Sequence, residues 1–216
     1  MSTPRPHHTW LAPARPAREE ISVRGSRFLG DLLSVEDQEE ASLHLERLRQ
    51  EFPHASHHCW ATRIFTGPRL ENRSSDAGEP AGTAGLPLLR ALESAGVEGV
   101  SLVVVRWFGG IKLGAGPLGR AYRETAARTL KAAGVEARCF YRLLAIRFPY
   151  TDSSSVRRAI FRLGGVVRTE QPGDRAGLLI QIPEEQAAAM AAALRDATRG
   201  RIEVEETGRL AAKAIS

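Results

Sequence analysis

VSLVVVRWFGGIKLGAGPLGRAYRETAARTLKAA, residues 100–133, is the stretch that decides the fold of the first half of the chain. Its continuous apolar run, 100–106, predicts a strand buried at the centre of a sheet. A glycine-rich loop follows over 107–116. Gly116 as N-cap, Pro117 at the first helical position and Gly134 past the end predict a helix over 117–133.

One face of this predicted helix is apolar and the opposite face is basic. At about 100° per residue, Arg120, Arg123 and Lys131 fall on the solvent side. The predicted buried face consists of Leu118, Tyr122, Thr125, Ala126, Thr129 and Ala133.

Outward from this stretch, turn residues and apolar periodicity divide the rest of the first half. In chain order we predict one or two strands over 20–35, a helix over 37–52, a strand over 59–65, a loop over 66–82 and a helix over 83–95. Residues 1–18 carry four prolines and three arginines without periodicity. They are predicted to form a disordered arm.

The pattern restarts in the second half of the chain. We predict strands over 140–148, 166–169, 177–182 and 201–206, with helices over 152–163 and 184–198. That βαββαβ order indicates a ferredoxin-like split fold. The predicted fold class is therefore α+β, with an N-terminal α/β domain over 19–137, a polar connector near Ala137, and a C-terminal domain over 139–207.

Composition narrows the function classes. The 216 residues include two cysteines, far apart, and show neither a signal peptide nor an apolar run long enough to span a membrane. We therefore expect a cytoplasmic protein with reduced thiols and no membrane partner.

The net charge is +5, and a basic excess fits a polyanionic partner such as RNA. Residues 101–138 hold seven basic against two acidic side chains, so the excess lies in this stretch.

Chain geometry brings two glycine-rich loops together. If the strand over 59–65 exits where the helix over 83–95 begins, both loops lie at the end of the sheet where ligands gather in open α/β layers. The second loop has the chemistry of an anion site, with flexible glycines and a helix N-terminus. The predicted RNA- or ligand-binding residues are Arg106, Gly109, Gly110, Lys112, Gly114, Gly116, Arg120 and Arg123. The alternative is an ordinary glycine turn behind a solvated helix face.

Four polar residues are predicted to line the same cleft: His57, Asp76, Glu79 and Thr83. Asp76 and Glu79 are able to bind a divalent cation or to perform acid–base work. The alternative, which we favour, is that Asp76 forms a turn and that Glu79 caps or pairs with an arginine. His57 and Cys59 share a strand face but lack the further ligands that zinc requires. We predict no metal, no cofactor and no catalytic residue.

Five blocks of sequence resemble the IMPACT/YigZ family. They are SRFLGDLLSV at 26–35, EASLHLERLR at 40–49, HHCWATRIF at 57–65, SDAGEPAGTAGLPLL at 75–89 and VVVRWFGGIKLGAGPLGRAY at 103–122. The resemblance implies a two-layer N-terminal domain of the superfamily shared by a small-subunit ribosomal protein, elongation factor G domain four and GHMP kinases. That superfamily has a left-handed βαβ crossover. The resemblance also implies a ferredoxin-like C-terminal domain.

Two departures from the family pattern bear on the site. The family usually has two adjacent acids before Gly-Glu-Pro, whereas Asp76 is followed here by Ala77. Pro117 replaces a glycine, which stiffens the second loop.

Eukaryotic relatives regulate translation under amino-acid starvation. We therefore expect a translation-associated regulatory protein that binds RNA, the ribosome or translation factors, rather than an enzyme. The alternatives are a nucleotide- or phosphate-ligand enzyme using the same cleft, and a protein-interaction module.

Overall fold

A computed structural model describes residues 9–66 and 69–213. The strands are β1 (Thr9–Pro13), β2 (Ala17–Val23), β3 (Ser26–Ser34), β4 (His57–Thr66), β5 (Arg69–Ser75), β6 (Val100–Trp107), β7 (Val135–Phe148), β8 (Val166–Gln171), β9 (Ala176–Pro183) and β10 (Glu203–Lys213). The helices are α1 (Gln38–Glu51), α2 (Gly85–Ser94), α3 (Ala115–Ala133), α4 (Ser153–Arg162) and α5 (Ala187–Ala197). The chain divides into an N-terminal unit, 10–137, and a C-terminal unit that consists of the residues from Arg138 onward together with Thr9.

The N-terminal unit is built on an antiparallel sheet in the order β2-β3-β6-β4-β5. The strand that the sequence predicts at the centre of the sheet is β6. It lies between β3 and β4 and is buried from Val100 to Arg106. The buried face predicted for α3 is confirmed, with Ala121 added to it. The helix begins two residues earlier than predicted, since Gly114 rather than Gly116 is its N-cap.

Helices cover both faces of this sheet. α2 and α3 pack on one face, where Leu88 and Tyr122 join Phe28 in the largest apolar cluster. α1 packs on the other face, where Leu48 meets Leu29 and neighbouring valines of β6. The predicted two-layer arrangement is therefore wrong. Side chains alternate along a strand, and since β6 is apolar on both faces, both faces require cover.

The predicted disordered arm is ordered from Thr9 onward. Residues 1–8 of that prediction lie outside the described residues. Trp10 and Ala12 are buried on alternate positions of β1, and the Trp10 ring packs edge-on against Phe65 with 5.2 Å between centroids. Arg15 then donates to the Ala132 carbonyl at 2.9 Å. Burial of Trp10 thus orders a segment that its proline content alone predicted to be disordered.

The predicted loop over 66–82 contains a strand. β5 pairs antiparallel with β4, from Thr66 opposite Arg69 to Trp60 opposite Ser75. Its sequence, RLENRSS, is polar and mostly exposed, so it carries no apolar alternation, and only backbone pairing to β4 defines it. β5 returns the chain to the end of the sheet at which β4 begins.

The C-terminal unit is built on the second sheet and has its own core. This sheet has five strands: β7 pairs with β10 and with β9, β8 lies beyond β9, and β1 joins the sheet beside β7. α4 and α5 share an apolar cluster with this sheet through Ile160 and Met190. The predicted connector near Ala137 is part of β7, so the division between the units falls inside a strand. No helix in the described residues is long and apolar enough to cross a membrane.

Candidate functional site

The two glycine-rich loops meet at one end of the N-terminal sheet. Glu79, from the loop after β5, accepts a hydrogen bond from Arg106 Nη1 at 2.6 Å. Arg106 lies near the end of β6, where the second loop begins, and is paired across the sheet with His57. The predicted convergence of the loops is confirmed, but the predicted route is wrong. β5, rather than β4, delivers the chain to this end.

A buried polar network ties the loops together. Glu79 Oε1 also accepts from the Tyr122 hydroxyl at 2.7 Å, and Arg106 Nη2 donates to Ser26 Oγ at 3.2 Å. The Glu79 and Arg106 side chains are only 3% and 6% exposed. The Cys59 thiol lies 3.2 Å from the Tyr122 hydroxyl. A buried ion pair is tolerated when further hydrogen bonds support it. Here Tyr122 donates to Glu79 and Ser26 accepts from Arg106, while the buried Arg106 Nε has no partner among the described residues.

Two weak acids near Glu79, the Cys59 thiol and the Tyr122 hydroxyl, are held neutral. Burial raises the pKa of the Cys59 thiol to about 12, and burial is also the main reason that the pKa of Tyr122 is raised. At neutral pH neither group forms the anion that a nucleophile requires. The network therefore acts as an internal clamp between β4, β6, α3 and the loop after β5.

Arg106 was predicted to bind RNA, and the structure places it inside the clamp. Its guanidinium faces Glu79 and Ser26 and lies 5.2 Å from the centroid of the Phe28 ring. Because the side chain is buried and paired, it is not available to a phosphate at the surface. Its role is to fix the loop after β6.

Asp76 caps helix α2. Its Oδ1 accepts from the backbone N–H groups of Ala84 and Gly85 at 2.8 Å each, and its Oδ2 accepts from Gly82 N–H at 2.8 Å. Burial works to raise the pKa of Asp76, but these three donors outweigh it and hold the pKa below its ordinary value. Asp76 and Glu79 therefore both use their oxygens on protein donors, as the favoured alternative predicts.

His57 and Thr83 line the same end of the sheet. His57 Nδ1 lies 3.0 Å from the Ala77 carbonyl oxygen, so Nδ1 carries the proton of that bond, and Nε2 lies 3.8 Å from Glu79 Oε2. The Thr83 hydroxyl donates to the Pro80 carbonyl at 2.6 Å. Among the residues that the structure describes, no three His, Cys, Asp or Glu side chains are grouped to hold a metal ion.

The second loop is shaped by its glycines. Gly110 and Gly114 adopt φ values of 85° and 78°, which favour glycine. A Cβ on Gly109 would lie 1.9 Å from the carbonyl carbon of Gly25, in the turn between β2 and β3. Only glycine permits this contact, so the turn supports the loop from below. Gly116, predicted as the helix cap, lies within the first turn of α3 instead.

Three predicted cations stand free at this surface. Lys112, Arg120 and Arg123 are exposed, and none has an ion pair or hydrogen bond within residues 9–66 and 69–213. The first turn of α3 contains no acid to neutralise them. Two large apolar side chains that sequence reasoning missed, Phe108 and Ile111, are 48% and 55% exposed beside Lys112. We call Phe108, Ile111, Lys112, Arg120 and Arg123 the loop surface.

A second buried cluster lies under α1. His44 Nε2 lies 2.8 Å from Asp31 Oδ1, and Nδ1 lies 2.9 Å from Ser101 Oγ. Burial alone would raise the pKa of Asp31, but hydrogen bonds from His44 and Arg18 lower it, so the carboxylate fixes the His44 proton on Nε2. The order Ser–His–Asp is that of a hydrolase triad, yet Ser101 is 1% exposed inside β6. Its position suits an anchor between α1 and the sheet.

Comparisons with known proteins match both units. The Impact N-terminal domain family matches residues 24–130, and a domain of unknown function, DUF1949, matches residues 146–201. A Haemophilus influenzae IMPACT family member is 32% identical over 91% of this chain and 96% of its own length. IMPACT family member YigZ of Escherichia coli is 30% identical over 91% of this chain and 97% of its own length.

A solved structure shows the same likeness in three dimensions. Described as "Crystal structure of an hypothetical protein", it superposes with a TM-score of 0.66 at 30% identity and covers 91% of this chain and 96% of that one. The matches define a mixed α/β protein with an IMPACT-type N-terminal unit and a DUF1949 C-terminal unit. The chain belongs to the IMPACT family.

Proposed function

We propose that this protein binds RNA, in association with the ribosome or translation factors, and that the loop surface is the contact. The observation that carries the proposal is a set of three exposed cations that have no partner among the described residues: Lys112 in the glycine loop, and Arg120 and Arg123 on the helix that follows it, α3. Lys112 lies two residues before the N-cap of α3, where the helix dipole disfavours a cation, so its presence there suits an anionic partner.

The C-terminal unit is proposed to be ferredoxin-like. Its strand order β10-β7-β9-β8, all antiparallel, and its two helices in one apolar cluster support that assignment. The family resemblance supports placing the N-terminal unit in the ribosomal-protein and GHMP-kinase superfamily, with its left-handed crossover. It also supports a cytoplasmic, translation-linked role.

The enzyme alternative has less support. A cation held by Asp76 and Glu79 would have to displace the α2 cap and the Arg106 ion pair, both of which are made by protein donors at 2.6–2.8 Å. A binding protein needs no such rearrangement. Magnesium-dependent binding of a nucleotide by the full chain would favour the enzyme alternative instead.

The test is a filter-binding titration of the full chain against mixed RNA at about 50 mM and about 200 mM salt. Changing Lys112, Arg120 or Arg123 singly to glutamine should weaken binding to all sequences and reduce the salt slope by about one each. Arg49→Gln is the matched control, because Arg49 is exposed on α1, which packs on the opposite face of the sheet. Salt-insensitive binding, or no binding by the wild type at low salt, would overturn the proposal.

A further inference from the structure

The apolar part of the loop surface differs from scattered surface hydrophobicity. Single exposed apolar side chains are normal in proteins. Here Phe108 and Ile111 are both about half exposed and lie within five residues, 108–112, that also carry Lys112. Arg120 and Arg123 follow on the exposed face of α3. An exposed aromatic ring and the unpaired Lys112 thus stand within one loop, and two more exposed cations follow on the helix that this loop begins.

The backbone around Phe108 is fixed. Phe108 N–H donates to Ser56 Oγ at 3.0 Å, and Gly109 N–H donates to Ser26 Oγ at 3.2 Å. The contact between Gly109 and Gly25 leaves no room for a Cβ, so the loop lies directly on the β2–β3 turn. Because the backbone is held in this way, little backbone conformational entropy is lost when a ligand covers the Phe108 ring.

The inner side of the ring faces the clamp. The Arg106 guanidinium lies 5.7 Å from the Phe108 ring centroid and is itself held by Glu79. A cation within about 6 Å of a ring is attracted to its π-system. The ring is therefore positioned from inside the protein while half of the side chain stays in solvent.

These features fit an unpaired base better than a duplex. Bases inside a duplex hide their π-faces, whereas bases of a single strand stack on exposed aromatic rings while cations follow the phosphates. We propose that Phe108, flanked by Ile111, is a stacking platform for one base, and that the ligand of the loop surface is single-stranded RNA. This inference rests on the proposed function, because it names the class of RNA that the same surface binds.

The experiment uses the full chain and an unstructured, mixed-sequence RNA of about 15 nucleotides, alone and annealed to its complement. The wild type should prefer the single strand. Phe108→Leu should weaken single-strand binding roughly tenfold with no change in salt slope, since no phosphate contact is lost. Phe108→Trp should keep or increase the affinity. Phe161→Leu is the matched control, because Phe161 is 86% exposed in the C-terminal unit.

The possible outcomes distinguish failure of the stacking platform from failure of RNA binding as a whole. If Lys112→Gln weakens binding and Phe108→Leu does not, or if duplex binds as tightly as single strand, the stacking platform is wrong and RNA binding stands. If the wild type binds neither RNA at low salt, both proposals fall. Should Phe108→Leu lose affinity together with its thermal transition, Phe108→Trp decides: loss of binding by a folded tryptophan variant overturns the platform.

Discussion

Glu79 is the residue on which the candidate site depends. It is one of the few acids buried in the N-terminal unit, and it receives donors from β6 and α3 at once. Removing one partner of a buried pair is costly because the other charge is left without compensation. The Gly-Glu-Pro segment is therefore a structural device that holds the first loop against the base of the second.

Tyr122→Phe tests the clamp with a minimal change. The ring stays and only the hydroxyl is lost, so Glu79 loses a hydrogen bond in a site closed to water. A bond to a charged group contributes about 1.5–3 kcal/mol, and we expect the free energy of unfolding to fall by about 2 kcal/mol. Urea unfolding followed by circular dichroism measures it. Tyr150→Phe is the comparison: its hydroxyl bonds Gly173 at the surface, where water replaces the lost bonds, so stability should fall by no more than about 0.5–1 kcal/mol. Equal losses in the two variants would contradict a clamp.

Helix α2 depends on a cap that lies well outside its own sequence. Asp76 precedes the first helical residue, Gly85, by nine positions, yet it receives N–H groups from Ala84 and Gly85. The N-cap residue itself, Ala84, offers no side-chain acceptor. The aspartate thus replaces a conventional cap and folds the intervening segment, 77–83, back against the helix N-terminus.

The cap makes the stability of the N-terminal unit depend on pH. The folded-state pKa of Asp76 is lower than its ordinary value of 3.8, so its contribution is fully present above about pH 3.8 and is lost as pH falls through the folded value. Asp76→Ala should cost about 1–2 kcal/mol at pH 7, and the difference from wild type should shrink below pH 3.8. Urea unfolding at several pH values measures this. Asp174→Asn, an exposed change outside any helix, should show no such convergence.

The strongly periodic elements of this chain could be predicted from sequence, and the polar ones could not. β6 and α3 carry continuous or amphipathic apolar patterns, so burial dictates them. β5 is defined by backbone pairing to β4, which leaves no mark in a sequence such as RLENRSS. The number of layers was also predicted wrongly. The face of α1 that packs on the sheet includes His44, a polar residue that is buried with hydrogen-bond partners, so the apolar pattern of α1 is weak.

The candidate site was predictable in place but not in detail. Glycine spacing and charge located the second loop, and Lys112, Arg120 and Arg123 are exposed as expected. Arg106 was misjudged because a charged residue that ends an apolar strand gives no sign of whether it points inward. Its partner, Glu79, lies 27 residues earlier in the chain. Pairings of that kind depend on tertiary structure, as does the support that Ser26 and Ser56 give to Phe108.

At the scale of the whole molecule, each unit has its own apolar clusters, and the basic excess lies in one unit. The apolar clusters around Phe28 and Leu48 contain only residues of 10–137, whereas the cluster around Ile146 contains only residues after Arg138. The stretch that carries the basic excess, 101–138, belongs almost wholly to the N-terminal unit. Folding and RNA binding should therefore both be properties of that unit.

A fragment comprising residues 1–138 tests this division. Because its apolar clusters draw on no residue after Ala137, the fragment should show native-like circular dichroism and a cooperative thermal transition. It should also bind the single-stranded RNA with nearly the salt slope of the full chain, since Lys112, Arg120 and Arg123 are all present. A fragment of residues 138–216 is the comparison, and it should bind at least tenfold more weakly. A 1–138 fragment that is wholly unfolded would contradict the division. A folded 1–138 fragment that binds no RNA would instead place the contact in the C-terminal unit.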